Sequence, residues 1–469
     1  MRKTLAFFVL GAVAAGAQVP GVPAPAAVVR LQVDPASFVS QIPDDFVGFG
    51  YETSAAARPG FFSPGNATLV QLYRTLGADG LVRIGGNISD YTRFLPAGVP
   101  VVKPQPETTI INRAALDGLA AFLRATGWTA MWGLNLKTGS KQQAVEEALA
   151  VNAALGDRLH SFEIGNEVDL RPALRGHYEK YLQAYRQYKA AIRSALPSAV
   201  FCGPDAAGNT DWSVDFASAE GRDIKLVTQH YYRCRASNPI ATLPTLLADD
   251  PEWDAKVDRL QALGRARGVP FRINEVNSFS GGGKPGVSDT LGAALWCLDY
   301  MFNLALHGCA GVNIETDVNQ FAWVSHYSPI FRDAAGSLHA RPVYYGMLAF
   351  AVAGKGALLE LRPGHPSASL RAYATRPSPG LVWVTVINKD LGASARVELD
   401  LPAGYSVLGA YGLRGPSALS TDQVTLAGAA VAPDGTWKPG ALEEVPSAGG
   451  VASVTLPAAS AELIQLRRQ

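Results

Sequence analysis

Two Asn-Glu pairs in this 469-residue chain could do chemistry: Asn166-Glu167 in HSFEIGNEV and Asn274-Glu275 in PFRINEVNS. Each closes a short apolar run of strand length. Breaking a glycosidic bond passes through an oxocarbenium-like transition state, which needs one carboxyl to protonate the leaving oxygen and another to attack or stabilise the anomeric carbon. Two glutamates ending strands can supply both. One must rest neutral and the other ionised, so their surroundings must push the two pKa values apart. We assign Glu167 as general acid/base and Glu275 as nucleophile. Tyr231, in the QHYY that ends another strand, is expected to donate a hydrogen bond to Glu275 and hold it ionised. Asn166 is expected to bond the sugar 2-hydroxyl. Glu163, four residues before Glu167 on the same strand face, reads as a deeper structural carboxylate paired with Arg83 or Arg272. Asp249-Asp250 and Glu443-Glu444 read as solvated surface. With seven scattered histidines and no i, i+4 pair on a helix, no catalytic metal is expected.

The elements that must position these residues are legible as a pattern. Strand-length apolar runs at 46–52, 80–87, 129–136, 160–167, 199–206, 224–232, 270–277 and 310–317 alternate with amphipathic stretches such as INRAALDGLAAFLRATG and HYEKYLQAYRQYKAAIRSAL. Eight such units predict a closed (β/α)8 TIM barrel over 43–353, and no convincing G-x-G-x-x-G supports an open doubly wound sheet. In a barrel the C-terminal strand ends meet at one face. The count puts Glu167 at the end of the fourth strand and Glu275 at the end of the seventh.

After Gly354 helical periodicity vanishes, and short alternating runs separated by Pro, Gly, Asn and Ser turns predict an antiparallel β-sandwich over 354–469. The alternating VVRLQVD, within 28–42, is expected to join that sandwich from the other end of the chain.

The chain is 17% charged and 48% hydrophobic with a formal net charge of +1, which points to neither nucleic acid nor an anionic membrane surface as a partner. Arg2 and Lys3, the apolar LAFFVLGAVAA and Ala15-Gly16-Ala17 read as a cleaved export signal over 1–17, followed by an extended leader over 18–27. A secreted or periplasmic location follows, with no membrane span. Cys202, Cys234, Cys297 and Cys309 are too widely spaced for a zinc site and read as buried free thiols, with a disulfide between Cys202 and Cys234 on neighbouring strands as the alternative.

At these residues the chain resembles glycoside hydrolase family 79, the retaining β-glucuronidase and heparanase-like enzymes. The resemblance runs from VGFGYE through RIGGNISD, GLNL, EIGNE and QHYY to INEVNSFSGGGKPGVSDT, then into the C-terminal strands. It implies a barrel with a sandwich built from both termini, retention of anomeric configuration, a β-glycoside or oligosaccharide substrate and no cofactor. It also implies Glu167 as acid/base, Glu275 as nucleophile and Tyr231 as its partner, with Glu52, Asn87 and Asp90 lining the glycone pocket.

In the family a loop after the nucleophile binds the uronate carboxylate through glycine amides and a tyrosine. Gly281 and Gly282 can serve here, and Tyr327 can add a phenol. The position expected to hold the family's tyrosine is Ser280. Losing a charge-assisted hydrogen bond of roughly 1.5–3 kcal/mol leaves two glycones open. Either Ser280, Phe279 or Lys284 compensates and the sugar is glucuronate, or the sugar is neutral or deoxy. With no Lys/Arg cluster near the catalytic segments, exo-action on a terminal sugar is expected rather than cutting of a sulfated polymer. A noncatalytic carbohydrate-binding protein is the remaining alternative, and the presence of both glutamates opposes it.

Overall fold

The computed structural model describes residues 28–96, 98–316 and 325–469. The expected export signal and leader lie outside the described residues. Each of the eight expected strand runs overlaps a barrel strand: β1 (Gly48–Glu52), β2 (Leu81–Gly85), β3 (Thr129–Leu134), β4 (Leu159–Ile164), β5 (Phe201–Ala206), β6 (Val227–Tyr232), β7 (Phe271–Asn277) and β8 (Val312–Glu315). They pair in parallel and in chain order, and β8 closes on β1 through Ile314↔Phe49 and Glu315↔Gly50.

A helix follows each strand: α1 (Ala67–Leu76), α2 (Arg113–Thr126), α3 (Lys141–Leu155), α4 (Tyr178–Ala195), α5 (Thr210–Glu220), α6 (Pro251–Arg267), α7 (Leu291–Leu306) and α8 (Pro342–Ala353). Local chemistry sets their ends. Ser140 and Gln143 form a reciprocal capping box at the start of α3. The Asn112 side chain caps α2, and left-handed Gly127 stops it. Asp250 caps α6, with Pro251 in its first turn.

Helices α7 and α8 are apolar on nearly every face because they lie between barrel and sandwich. Against α7, the Tyr373 ring stacks on Phe302 at 4.9 Å and the Tyr373 hydroxyl donates to Asp299 at 2.7 Å.

The sandwich has a seven-stranded and a five-stranded sheet. Leu31, Leu359, Val382, Val384, Val386, Val397, Leu399, Ile464 and Leu466 fill the space between them. Val28–Val33 joins the five-stranded sheet and Ser40–Ile42 the seven-stranded one, so the N-terminal segment serves both layers. One pairing departs from the antiparallel expectation: Val28–Val33 runs parallel to Ala395–Asp400. Strands from opposite ends of a chain are not bound by a hairpin to run antiparallel.

Cys202, Cys297 and Cys309 are buried free thiols, and Cys234 is a partly exposed one. Among the described residues, no helix is long and apolar enough to cross a membrane.

Glu147 on α3 is buried and accepts from Trp132 Nε1 at 2.8 Å. Burial raises its pKa from 4.5 to about 7, with the Trp132 bond opposing in part. Its contribution to stability is complete below the unfolded value and is lost as pH rises through about 7. We expect urea unfolding to show a smaller loss of stability between pH 4.5 and 7 in Glu147→Gln than in wild type, the difference being on the order of 3 kcal/mol. An identical pH slope in the two proteins would refute the assignment.

Candidate active site

Five barrel strands deliver acidic or phenolic groups to the C-terminal face. Glu52 ends β1, Tyr232 ends β6, Glu275 lies two residues from the end of β7, Glu315 ends β8, and Glu167 follows β4 by three residues. They border one cavity of about 570 Å³, together with Asn87, Leu170, Ala207, Gly208, Arg235, Ala236, Ser237, Ser280, Gly281 and Tyr327. A space of this size accepts a sugar with part of its aglycone.

Beneath the cavity lies a fully buried guanidinium. Arg83 on β2 reaches Glu163 at 2.9 Å, Glu275 Oε2 at 2.6 Å, Asn166 Oδ1 at 2.7 Å and Asp205 at 3.4 Å. Sequence reasoning named it only as a candidate partner for Glu163. That pairing is present, whereas Arg272 binds Asn313 and backbone carbonyls at the barrel floor.

The glycines of RIGGN make room for this cluster. A Cβ on Gly86, where φ is +70°, would lie 2.3 Å from Glu52 Oε2, and one on Gly85 would lie 2.6 Å from the Arg83 guanidinium. The alternation of β7 is also broken, because its register slips between Ile273 and Val276. Adjacent Asn274 and Glu275 therefore both reach the cluster, Asn274 donating to Glu163 at 2.6 Å and to Asp205 at 2.9 Å.

Around Glu275 the forces oppose one another. Burial alone would raise its pKa; the charges of His230 and Arg83, with hydrogen bonds from Arg83 and Tyr232, outweigh it and hold the carboxyl below its usual value. His230 Nδ1 lies 3.1 Å from Glu167 Oε1 and 3.7 Å from Glu275 Oε2. Burial pulls the imidazole pKa down, but the Glu275 charge and the Glu167 bond raise it overall.

Glu167 sits in the left-handed region at φ 44°, its N–H donating to the Asp205 carbonyl at 3.0 Å. A non-glycine residue held there stores strain of about 1–3 kcal/mol, maintained by the network around it. Ligand atoms of Glu167, His230 and Glu275 all lie within 4.8 Å of one another. The three could ligate a cation, but one placed there would meet the fixed charge of Arg83 on Glu275 Oε2. An oxygen of Glu167 and an oxygen of Glu275 thus lie within 4.8 Å of each other at one cavity, with Glu275 the carboxyl held below its usual pKa.

Of the expected site residues, Glu52, Asn87, Glu167, Glu275, Ser280, Gly281 and Tyr327 border the cavity. Glu52 accepts from the Ile88 N–H at 2.7 Å, and its pKa rises to about 8, chiefly through burial, so near neutrality it can donate to a sugar hydroxyl. Asn166 faces Arg83 and Asn87 instead of bordering the cavity. Asp90 is buried against Arg171 at 2.5 Å, with its pKa at about 6, raised by burial and opposed by Arg171. Gly282 accepts from the His326 and Tyr327 N–H groups, which ties the glycine loop to the Tyr327 segment. Gly281, Gly282 and Gly283 all have positive φ, a run only glycine adopts without cost.

Tyr231 requires correction. Its hydroxyl donates to Asp250 at 2.8 Å and its ring stacks on Trp253 at 4.2 Å, outside the barrel. The phenol on Glu275 is Tyr232, at 3.0 Å. Side chains alternate along β6, so His230 and Tyr232 face inward and Tyr231 outward. In QHYY the two tyrosines are adjacent, and only the facing of β6 separates their roles. Asp249 and Asp250 are also not free surface groups: Asp249 pairs with Arg371, while Asp250 pairs with Arg233 and takes the Tyr231 bond. Glu315 and Arg235 were not anticipated.

No family model matches the chain. It is 27% identical over 412 residues to a β-glucuronidase of Aspergillus niger, covering 74% of each chain. It is 26% identical over 372 residues to a β-glucuronidase of Neurospora crassa, covering 69% of this chain and 66% of that one. Both comparisons place the chain among glycoside hydrolases resembling β-glucuronidases. Among solved structures, a 4-O-α-L-rhamnosyl-β-D-glucuronidase from Fusarium oxysporum has a TM-score of 0.76 over 93% of this chain and 100% of that one, at 20% identity. A family 51 α-L-arabinofuranosidase from Bifidobacterium longum has a TM-score of 0.67 over 93% and 99%, at 15% identity. These two matches establish the fold.

In Tyr232→Phe we expect the acid limb of the kcat/KM profile to move to higher pH, because Glu275 loses a donor that favours its ionised form. In Tyr231→Phe the limb should stay in place, with a stability loss of about 1 kcal/mol from the missing Asp250 bond. The reverse pattern would restore Tyr231 as the partner.

Proposed function

We propose that the chain is a retaining exo-β-glycosidase of the family 79 kind, with β-glucuronidase as its activity. The close approach of Glu167 and Glu275 in one cavity carries this reading, since an inverting enzyme needs carboxyls about 6.5–9.5 Å apart to admit a water between them. Glu275, held ionised by Arg83 and Tyr232, attacks the anomeric carbon as Glu167 protonates the departing oxygen. A covalent glycosyl-enzyme forms. Glu167 then takes a proton from water, which attacks the same carbon and releases Glu275. In this reading Glu52 and Asn87, which border the cavity, hold sugar hydroxyls, and Ser280, Gly281 and Tyr327, which also border it, face the group at C5. The basic-then-apolar N-terminus supports export from the cytoplasm.

A second reading keeps this mechanism but takes a neutral or deoxy glycone. It is favoured by Ser280, which has no phenol to offer a uronate carboxylate.

Stereochemistry tests the mechanism: proton NMR of a p-nitrophenyl β-glycoside digest should show the β-anomer first, whereas the α-anomer first would exclude double displacement. Glu275→Gln should lose roughly four or more orders of magnitude in kcat, and azide should restore turnover of an activated glycoside by Glu167→Ala. A panel comparing glucuronide with glucoside, xyloside and fucoside decides the glycone.

A further inference from the structure

The cavity is rich in acid. Glu52, Glu167, Glu275 and Glu315 border it, and among the described lining residues Arg235 alone is cationic. The other arginines around the site are committed: Arg83 to Glu163, Asp205 and Glu275, Arg171 to Asp90, and Arg233 to Asp250. Arg235 is exposed, and no described acidic group pairs with it.

Its backbone, in contrast, is held. The segment after β6 pairs with the segment after β7: Arg233 N–H donates to the Ser278 carbonyl at 3.0 Å, Ser280 N–H to Cys234 at 2.9 Å and Ala236 N–H to Ser280 at 2.9 Å. Arg235 and Ser280 are bridge partners in this short parallel ladder. A long cationic side chain thus rises from a fixed strand beside the short Ser280 and next to Gly281.

We propose that Arg235 selects an anionic glycone, its guanidinium gripping the carboxylate of a terminal uronic acid at the wall formed by Ser280 and Gly281. This rests on the glycosidase reading above and decides between its two glycones. A carboxylate entering a pocket bordered by four glutamates meets repulsion, which a planar two-pronged cation can offset and a serine hydroxyl cannot. The raised pKa of Glu52 lessens that repulsion near neutrality. A neutral sugar gains little from Arg235 and leaves it in water.

The test compares p-nitrophenyl β-D-glucuronide with its methyl ester, which keeps the shape and removes the charge, in wild type, Arg235→Ala and Arg235→Lys. We expect wild type to favour the acid over the ester in kcat/KM. Arg235→Ala should cut that preference by roughly 10- to 100-fold, mostly through KM, and Arg235→Lys should keep part of it. If wild type favours the acid and Arg235→Ala keeps the same preference, Arg235 is not the selector while the glucuronidase reading stands. An equal fall on both substrates would mean a merely structural role and would also overturn the proposal. Failure of wild type to favour the acid would remove both the proposal and the glucuronide assignment, leaving the neutral-sugar reading.

Discussion

One buried cation organises the catalytic end of this barrel. Arg83 donates to three carboxylates and an amide oxygen that belong to β4, β5, β7 and the turn after β4, so a single guanidinium ties together much of the barrel's circumference. Burying such a charge costs several kcal/mol, and only a full set of partners offsets it. Removing the guanidinium would strand Glu163, Asp205 and Glu275 in the interior. The same contact that offsets burial also holds Glu275 ionised, so stability and chemistry depend on one interaction here.

That arrangement constrains its neighbours. Gly85 and Gly86 are required because any side chain would collide with the Arg83 guanidinium or the Glu52 carboxylate. The register slip in β7 is what lets Asn274 and Glu275 share the interior. Glu167 adopts a left-handed backbone at the point where its N–H is anchored to β5. Irregular backbone collects around the carboxyls, while the barrel floor below, with Arg272 bound to backbone carbonyls and Asn313, makes no contact with the cavity.

The sandwich acts on the site from a distance. Arg371 on the strand Leu370–Ser378 and Lys389 just after the strand Leu381–Asn388 pair with Asp249 and Asp299 on the barrel side. Asp250, next in the chain, caps α6 and takes the Tyr231 hydroxyl, so the outward face of β6 is fixed by this joint while its inward face presents His230 and Tyr232.

The amino-acid sequence by itself determined the eight barrel strands, the helices between them, the sandwich and the two glutamates at strand ends four and seven. These signals are local: periodicity, caps, turn residues and a dipeptide at a strand end are each written within a few residues. Tertiary structure decided which of two adjacent tyrosines meets Glu275, that Arg83 rather than Arg272 holds the carboxyl cluster, that Asp249 and Asp250 form a joint, and that Arg235 stands beside Ser280. Each of those depends on which face a residue presents and which distant strand lies opposite. Facing is set by ladder register, and one slipped residue changes it without leaving any mark in composition or spacing.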